Sequence, residues 1–328
     1  MTSEKQREAL REIVHSPADL AVETVQWAEH ILTSPGVPFG IASVDAEMNP
    51  AHPGDVVVLC ARPGHGKTSL LATIARAEAK RIRARGMQKT EAVFYITWEQ
   101  VAEEINLILD SNDDYTVADI MRGTADMEAI KTRAVKRVDS PIWVIGDSIT
   151  RTTTKSVRLF TDTVCEAIEI AVEDYGVKPT LLCFDYIQII PVREAAEQTV
   201  QVLYAAQRVK ELAKRIGAPA FVGAQARREV DDREFKIPTM RDAQWASAIE
   251  QVTDKFFGLW RPWLTDRDKE PIQVGQDMIP ITEELLIVQL SKQRFGPAGF
   301  TWAKHFSPAH LKLCDLELKK TNLGALDF

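Results

Sequence analysis

Apolar residues in this chain follow two rhythms. Short unbroken runs occur at Val56–Cys60, Ala92–Thr97, Pro141–Gly146, Thr180–Phe184, Ala220–Ala224, Phe256–Trp260 and Leu285–Leu290. Between several of them, residues 69–83, 159–175 and 195–216 repeat apolar positions at helical spacing. A strand covered on one face alternates apolar with polar, whereas an unbroken run needs cover on both faces. The pattern therefore predicts an α/β fold, with a mainly parallel central sheet flanked by helices. No internal repeat or low-complexity segment interrupts it.

Residues 1–35 read as a separate helical arm. Ser16, Pro17 and Asp19 supply an N-cap, a first-turn proline and an early acid. Leu20, Thr24, Trp27 and Ile31 then form one stripe, which either folds back on its own domain or docks on a neighbouring subunit. Pro35 and Gly36 end the arm. Residues 36–54, with Gly36, Gly40, Pro50, Pro53 and Gly54, read as a loop opening the main domain, residues 36–328.

Directly behind the first apolar run stands A-R-P-G-H-G-K-T, Ala61 to Thr68, and Leu70, Leu71, Ile74 and Ala75 follow at helical spacing. Strand, glycine loop and helix in that order are the setting of a phosphate-binding loop. Gly64 and Gly66 let the backbone curl so that the loop, Arg62, Pro63 and His65 through to Ser69, surrounds a polyphosphate and turns its available N–H groups toward it. The helix adds its positive end. Lys67 would reach the β- and γ-phosphates of ATP, and the Thr68 hydroxyl would hold Mg²⁺. A chance glycine turn is the bland alternative, and it does not account for the Lys-Thr pair.

An open α/β sheet binds ligands at the carboxyl ends of its strands, so polar residues there are the next candidates. Asp185, behind Thr180–Phe184, suits a second carboxylate for Mg²⁺. Glu99 in T-W-E-Q suits a general base for the attacking water, or else simply neighbours a helix start, since Val101 onward reads as helical. Gln225 suits a γ-phosphate sensor, or a satisfied amide at a strand end. Lys292 and Arg294 in K-Q-R-F-G-P stand two apart on a strand and so share a side, as a phosphate clamp or as a solvated basic edge.

Composition changes little. Apolar residues make up 45% of 328, enough for a full core, and no apolar stretch reaches membrane-spanning length. No apolar segment resembles a secretion signal, and the four scattered cysteines form no C-x-x-C pair, so the expectation is a cytoplasmic chain with reduced, mostly buried thiols. A net charge of −7 argues against coating DNA on an outer surface but permits a narrow basic channel.

Together these motifs resemble the C-terminal ATPase domain of the DnaB-type replicative helicases, in the RecA-like superfamily, from about Gly36 to Leu313. The resemblance is carried by A-R-P-G-H-G-K-T, by T-W-E-Q, and by the Walker B strand L-L-C-F-D-Y-I-Q-I-I with Gln188. G-A-Q-A-R-R from Gly223, Ile249-Glu250-Gln251 and K-Q-R-F-G-P-A-G complete it. It implies a ring, usually of six subunits, with ATP between neighbours. Lys67, Thr68, Glu99, Asp185 and Gln225 would act from one subunit and Lys292 and Arg294 from the next. The arm would be the linker helix that docks on the neighbour. Single-stranded DNA would pass through the channel, with a loader or primase as further partners.

Three departures qualify the resemblance. About 35 residues precede the core, too few for the helical collar of bacterial replicative helicases, which suggests a phage, plasmid or mobile-element version. Where the family commonly has R-E-S-G, this chain has Gln244-Trp245-Ala246-Ser247. Behind Gln251 stand Val252 and Thr253 before Asp254. Candidate DNA contacts are Arg227, Arg228, Arg233 and Lys236 in a mildly basic segment, Arg193 behind Walker B, and Trp245 by stacking. Two functions follow: a ring helicase that translocates on single-stranded DNA and unwinds duplex, or an ATPase ring that serves as an assembly platform with little unwinding.

Overall fold

The computed structural model describes residues 4–11, 13–34, 36–110, 113–151, 158–193 and 197–317. The chain divides into two compact units, residues 1–36 and 37–328.

The first unit holds helices Glu4–Arg11 and Pro17–Thr33. The second helix starts as its sequence predicts. Ser16 Oγ accepts from the Asp19 N–H at 3.2 Å and the Asp19 carboxylate accepts from the Ser16 N–H at 3.0 Å, a reciprocal cap. No residue of this helix is buried, and Leu20 and Trp27 stand exposed.

The second unit is built on a nine-stranded sheet. In chain order the strands are β1 (Val56–Ala61), β2 (Glu91–Thr97), β3 (Ile142–Ile145), β4 (Lys178–Asp185), β5 (Ala220–Gln225), β6 (Lys255–Trp260), the separate hairpin β7 (Ile272–Val274) and β8 (Asp277–Ile279), then β9 (Leu285–Gln293), β10 (Phe300–Ser307) and β11 (Lys312–Asp315). The order across the sheet is β11-β10-β9-β6-β1-β5-β4-β2-β3. β3, β2, β4, β5, β1 and β6 are parallel, and β9, β10 and β11 add an antiparallel edge. All seven apolar runs form strands of this sheet.

The unbroken runs are explained by cover on both faces. Val56, Val58 and Cys60 of β1 join one core cluster with Phe184, Val209 and Leu212, while Val57, Leu59 and Ala61 join the opposite one with Leu70, Ile74 and Val93. Burying each valine or leucine side chain contributes about 1.5–3 kcal/mol before the entropy cost of ordering it. The predicted helices lie at Lys67–Ala84, Thr161–Tyr175 and Gln198–Ile216. The prediction for 195–216 began earlier, on residues of which 194–196 lie outside the described set.

The segment 36–54 departs from a plain loop. It carries a short helix, Ala42–Asp45, and a bridge between Val37 and Ala51. Val37, Phe39, Ile41, Val44 and Met48 are buried, with the Phe39 ring 4.5 Å from that of Phe257. Its glycines and prolines punctuate a segment whose apolar residues close one edge of the core. No helix among the described residues is long and apolar enough to cross a membrane.

Candidate functional site

The carboxyl ends of β1, β2, β4 and β5 converge on a cavity of about 530 Å³ lined by Gly64, Gly66, Lys67, Thr68, Ser69, Glu99, Tyr186 and Gln225. β1 delivers the glycine loop. Gly64 and Gly66 take φ of +78° and +87°, left-handed values that a side chain would strain. Gly66 caps helix Lys67–Ala84 without any side-chain hydrogen bond, so the first N–H groups of that helix face the cavity unclaimed.

The side chains of the loop divide the work. Arg62 turns away, its Nε donating to Asp231 at 2.9 Å and its NH1 to the Ala226 carbonyl at 3.2 Å. His65 is buried and its pKa is pushed down to about 4 by that burial, so it is neutral at neutral pH. Its Nδ1 accepts the Arg261 N–H at 3.0 Å, which ties the loop to the end of β6. Neither Arg62 nor His65 lines the cavity. Lys67 faces the carboxylates. Burial lowers its pKa, Asp185 opposes that shift, and its ammonium lies 5.8 Å from the centre of the Tyr186 ring.

Asp185 ends β4 opposite Thr97 of β2 and is buried. One oxygen, Oδ2, accepts from the Tyr95 hydroxyl at 2.9 Å. The other, Oδ1, is buried and accepts no hydrogen bond among the described residues, and a Cβ added to Gly223 would stand 3.4 Å from it. Burial pushes the carboxyl pKa up, with the Thr68 and Tyr95 hydroxyls and Lys67 pulling the other way. An unclaimed buried carboxylate oxygen beside a threonine hydroxyl is a donor set that fits a hard divalent cation.

Glu99 rides on a rigid turn. The Thr97 hydroxyl donates to the Gln100 carbonyl at 3.0 Å and accepts the Gln100 N–H at 3.2 Å. Trp98 next to it donates from Nε1 to the Leu159 carbonyl at 2.7 Å and stacks on Phe184. Burial and then the Asp185 charge raise the pKa of Glu99, the direction that makes a carboxylate a better base. Gln225, opposite Ala61, is held by Gln188, whose Oε1 accepts the Gln225 N–H at 3.1 Å and whose Nε2 donates to its carbonyl at 3.3 Å. The backbone is thus claimed and the amide side chain remains for the cavity.

Four cavity residues escaped the sequence reading, Ile108 of helix Ala102–Asp110 and three more. Arg261 donates to the Gly64 carbonyl at 3.3 Å and lies 4.4 Å over the Phe306 ring, and Leu311 completes that wall. These last three come from the end of β6 and from the antiparallel edge, where no strand-end motif marked them.

Lys292 and Arg294 do not join this cavity in the same chain. β9 runs antiparallel to β6, so Gln293 pairs with Lys255 at the start of β6, whereas the glycine loop follows Ala61 of β1, which pairs with Leu259 near its end. The two sites sit at opposite ends of strands that are about 17 Å long. Lys292 donates to the Glu250 carbonyl at 3.4 Å, and Arg294 reaches Asp254.

The candidate DNA contacts separate. Arg193, Arg227 and Arg228 are exposed, Arg193 lying 4.5 Å over the Phe160 ring. Arg233 is paired with both oxygens of Asp242. Lys236 is buried, its ammonium bound by both Asp266 oxygens at 2.7 and 2.8 Å, so it is not offered to a polyanion. Trp245 packs against the core at φ +59°, a left-handed value unusual for a bulky residue, and caps helix Ala246–Val252.

A phosphate loop, a buried Walker B aspartate and a strand-end glutamate on a parallel sheet define a RecA-like nucleotide-binding domain. The DnaB-like helicase C terminal domain family matches residues 36–312, and the chain belongs to that family. Among curated relatives it is similar to the replicative DNA helicase DnaB of Mycoplasma genitalium, 25% identical over 284 residues, covering 85% of this chain and 56% of the relative. It is similar also to that of Leifsonia xyli, 26% identical over 255 residues, covering 76% and 52%. The chain thus spans about half the length of these relatives. In fold it is similar to the ATPase domain of G40P, with TM-score 0.73 and 19% identity over 92% of this chain and 100% of that one. A DnaB-like replicative helicase described with its interactions with primase gives TM-score 0.70 at 19% identity, covering 93% of this chain and 68% of that one.

Proposed function

We propose that this chain is the ATP-hydrolysing motor of a DnaB-like helicase, which assembles as a ring, usually of six, translocates on single-stranded DNA and unwinds duplex. One observation carries the reading: the phosphate loop with Glu99 and the cation pair Lys292 and Arg294 lie at opposite ends of the same sheet. A complete hydrolytic site then needs two subunits, with nucleotide between them. In that arrangement Lys67 and the loop N–H groups hold the β- and γ-phosphates, and Glu99 takes a proton from the attacking water. Gln225 reports the γ-phosphate, and Arg294 of the neighbour neutralises developing charge. Thr68 and Asp185 would hold Mg²⁺, which when bound would offset the negative charge of the phosphates. The flat guanidinium of Arg261 over Phe306 suits a nucleotide base. Loss of the γ-phosphate releases the neighbour's cations and shifts attached loops. The Pro17–Thr33 helix, with its exposed Leu20 and Trp27, would dock on the adjacent subunit.

A second reading, an ATPase ring acting as an assembly platform, is favoured by one finding. Lys236 and Arg233 are tied to Asp266 and Asp242 and Trp245 packs inward, which leaves Arg193, Arg227 and Arg228 as the exposed candidate contacts without an ion pair among the described residues. Steady-state ATP hydrolysis with and without single-stranded DNA, followed by strand separation on a forked duplex, decides between them. Stimulation by DNA with unwinding is expected. Hydrolysis indifferent to DNA and no unwinding would sink the motor reading in favour of the platform.

A further inference from the structure

A second concavity, of about 370 Å³, lies between helices Lys67–Ala84 and Met127–Arg137, away from every residue used in the proposed hydrolysis. It is lined by Arg76, Lys80 and Arg83 from the first helix, by Arg133, Lys136 and Arg137 from the second, and by a single carboxylate, Asp110. In a chain of net charge −7 such a concentration of one sign needs a reason.

The local carboxylate does not supply it. Asp110 is already taken, accepting from Arg133 at 2.9 Å and from the Tyr115 hydroxyl at 3.0 Å, and Asp114 acts on the same Arg133. The Arg137 guanidinium is half-buried, stands 3.8 Å from the nearest Asp110 oxygen, and makes no hydrogen bond among the described residues. Burial holds its pKa below the ordinary arginine value, with Asp110 opposing that shift and Arg83 and Arg133 adding to it. Arg137 thus has only this long ion pair with Asp110, and Lys80, Arg83 and Lys136 have none among the described residues. By contrast Arg81, on the same helix, and Arg85, at its C-cap, are paired with Glu78 and Glu91. Cations at the C-terminal ends of two helices complement their dipoles, but that calls for one or two and not six around one hollow.

We propose that this hollow is a binding site for a small, multiply charged phosphate anion, a pyrophosphate or triphosphate group that is free or carried on a nucleotide. Guanidinium groups from two helices converge on it, the arrangement that suits bidentate contact with phosphate oxygens. The cations ring a concavity rather than run in a stripe, which favours a compact anion over a strand of nucleic acid. Arg76 joins this hollow to the nucleotide cavity. Its guanidinium donates to the carbonyls of Ile108 at 2.7 Å and Leu311 at 3.0 Å, and both of those residues line the nucleotide cavity.

The test is calorimetric titration of inorganic tripolyphosphate into protein whose phosphate loop is saturated with Mg²⁺ and a non-hydrolysable ATP analogue. A further equivalent per chain is expected. Its affinity should fall about tenfold or more in Lys136→Ala/Arg137→Ala, the order expected for losing two charge-assisted contacts. Analogue affinity at the phosphate loop should be unchanged. Lys80→Ala/Lys136→Ala, confined to exposed side chains, should weaken tripolyphosphate as well and covers the case in which removing Arg137 disturbs folding. A second equivalent of the analogue itself, lost in the same variants, would support a nucleotide as the carrier. No further equivalent, or one indifferent to both variants, overturns the proposal. A single-stranded oligonucleotide that displaces tripolyphosphate and loses affinity in the same variants overturns it in favour of nucleic acid.

Discussion

Arg294 is tied to Asp254 twice: its main-chain N–H donates to the Asp254 carbonyl at 2.9 Å, and its guanidinium reaches the Asp254 carboxylate at 3.3 Å. Asp254 is buried and also accepts from the Val56 N–H and from Lys210, while the Arg294 side chain is 60% exposed. The arginine is thus anchored at its root and presented at its head, the condition for a pre-positioned charge acting on a neighbour. Arg294→Ala should keep nucleotide affinity within about threefold and lower turnover by about 10³-fold or more. Mixing it with Lys67→Ala protein should restore part of the turnover, because such mixtures contain interfaces with an intact loop facing an intact Arg294. Steady-state hydrolysis of the two variants, alone and mixed, checks this, and absence of any rescue would argue against a shared site.

Glu99→Gln should retain ATP and lower turnover by about 10²–10⁴-fold. The base works as carboxylate, and burial raises its pKa above the ordinary glutamate value of 4.5. Turnover should therefore fall, as pH is lowered, through a limb lying above pH 4.5, and the residual activity of Glu99→Gln should lack that limb. A pH profile of single-turnover hydrolysis separates this from a loss of binding.

The Lys236–Asp266 pair makes a prediction about stability and another about DNA. Asp266→Ala leaves a buried ammonium without its partner and should cost about 3–5 kcal/mol, read by urea denaturation. Lys236→Met replaces the charge with an apolar chain of similar length. It should cost less than Asp266→Ala and leave single-stranded DNA affinity unchanged. A salt-dependent loss of affinity in Lys236→Met would return that lysine to the DNA contacts.

Asp254 should impose an acid limit on stability. Burial pushes its carboxyl pKa up, but the hydrogen bonds from Lys210, the Val56 N–H and Arg294 outweigh burial and hold it below 3.8. A carboxyl depressed on folding contributes stability that is fully present above its unfolded value and lost as pH falls through the folded one. The stability difference between wild type and Asp254→Asn, measured by urea denaturation, should be constant above about pH 5 and shrink below about pH 4.

Much of this was legible in the sequence because strand ends and site coincide. Val56–Cys60, Thr180–Phe184 and Ala220–Ala224 are unbroken because both faces are covered; of their last polar neighbours, the glycine loop and Gln225 line the nucleotide cavity, and Asp185 is buried next to Tyr186, which also lines it. Arg261 and Phe306 were not legible, since their meeting depends on β6 and β10 approaching the loop in space, which no local spacing encodes. Gln188 stood in a motif, but its service to the Gln225 backbone emerges only from adjacent strands. Lys236 misled because a lysine among arginines reads as surface charge until Asp266, 30 positions on, is brought beneath it. The weak β7–β8 hairpin left no apolar run to detect.

The separation of the phosphate loop from Arg294 gives each subunit a head and a tail. Contacts made in that sense are heterologous, so two chains meeting once build one finished site and leave one loop and one arginine idle. An open row of n chains finishes n − 1 sites, and only closure finishes the last. Under the proposed mechanism, turnover per chain should rise with protein concentration from near zero and level off where rings close, so an assay at high dilution would report an inactive protein.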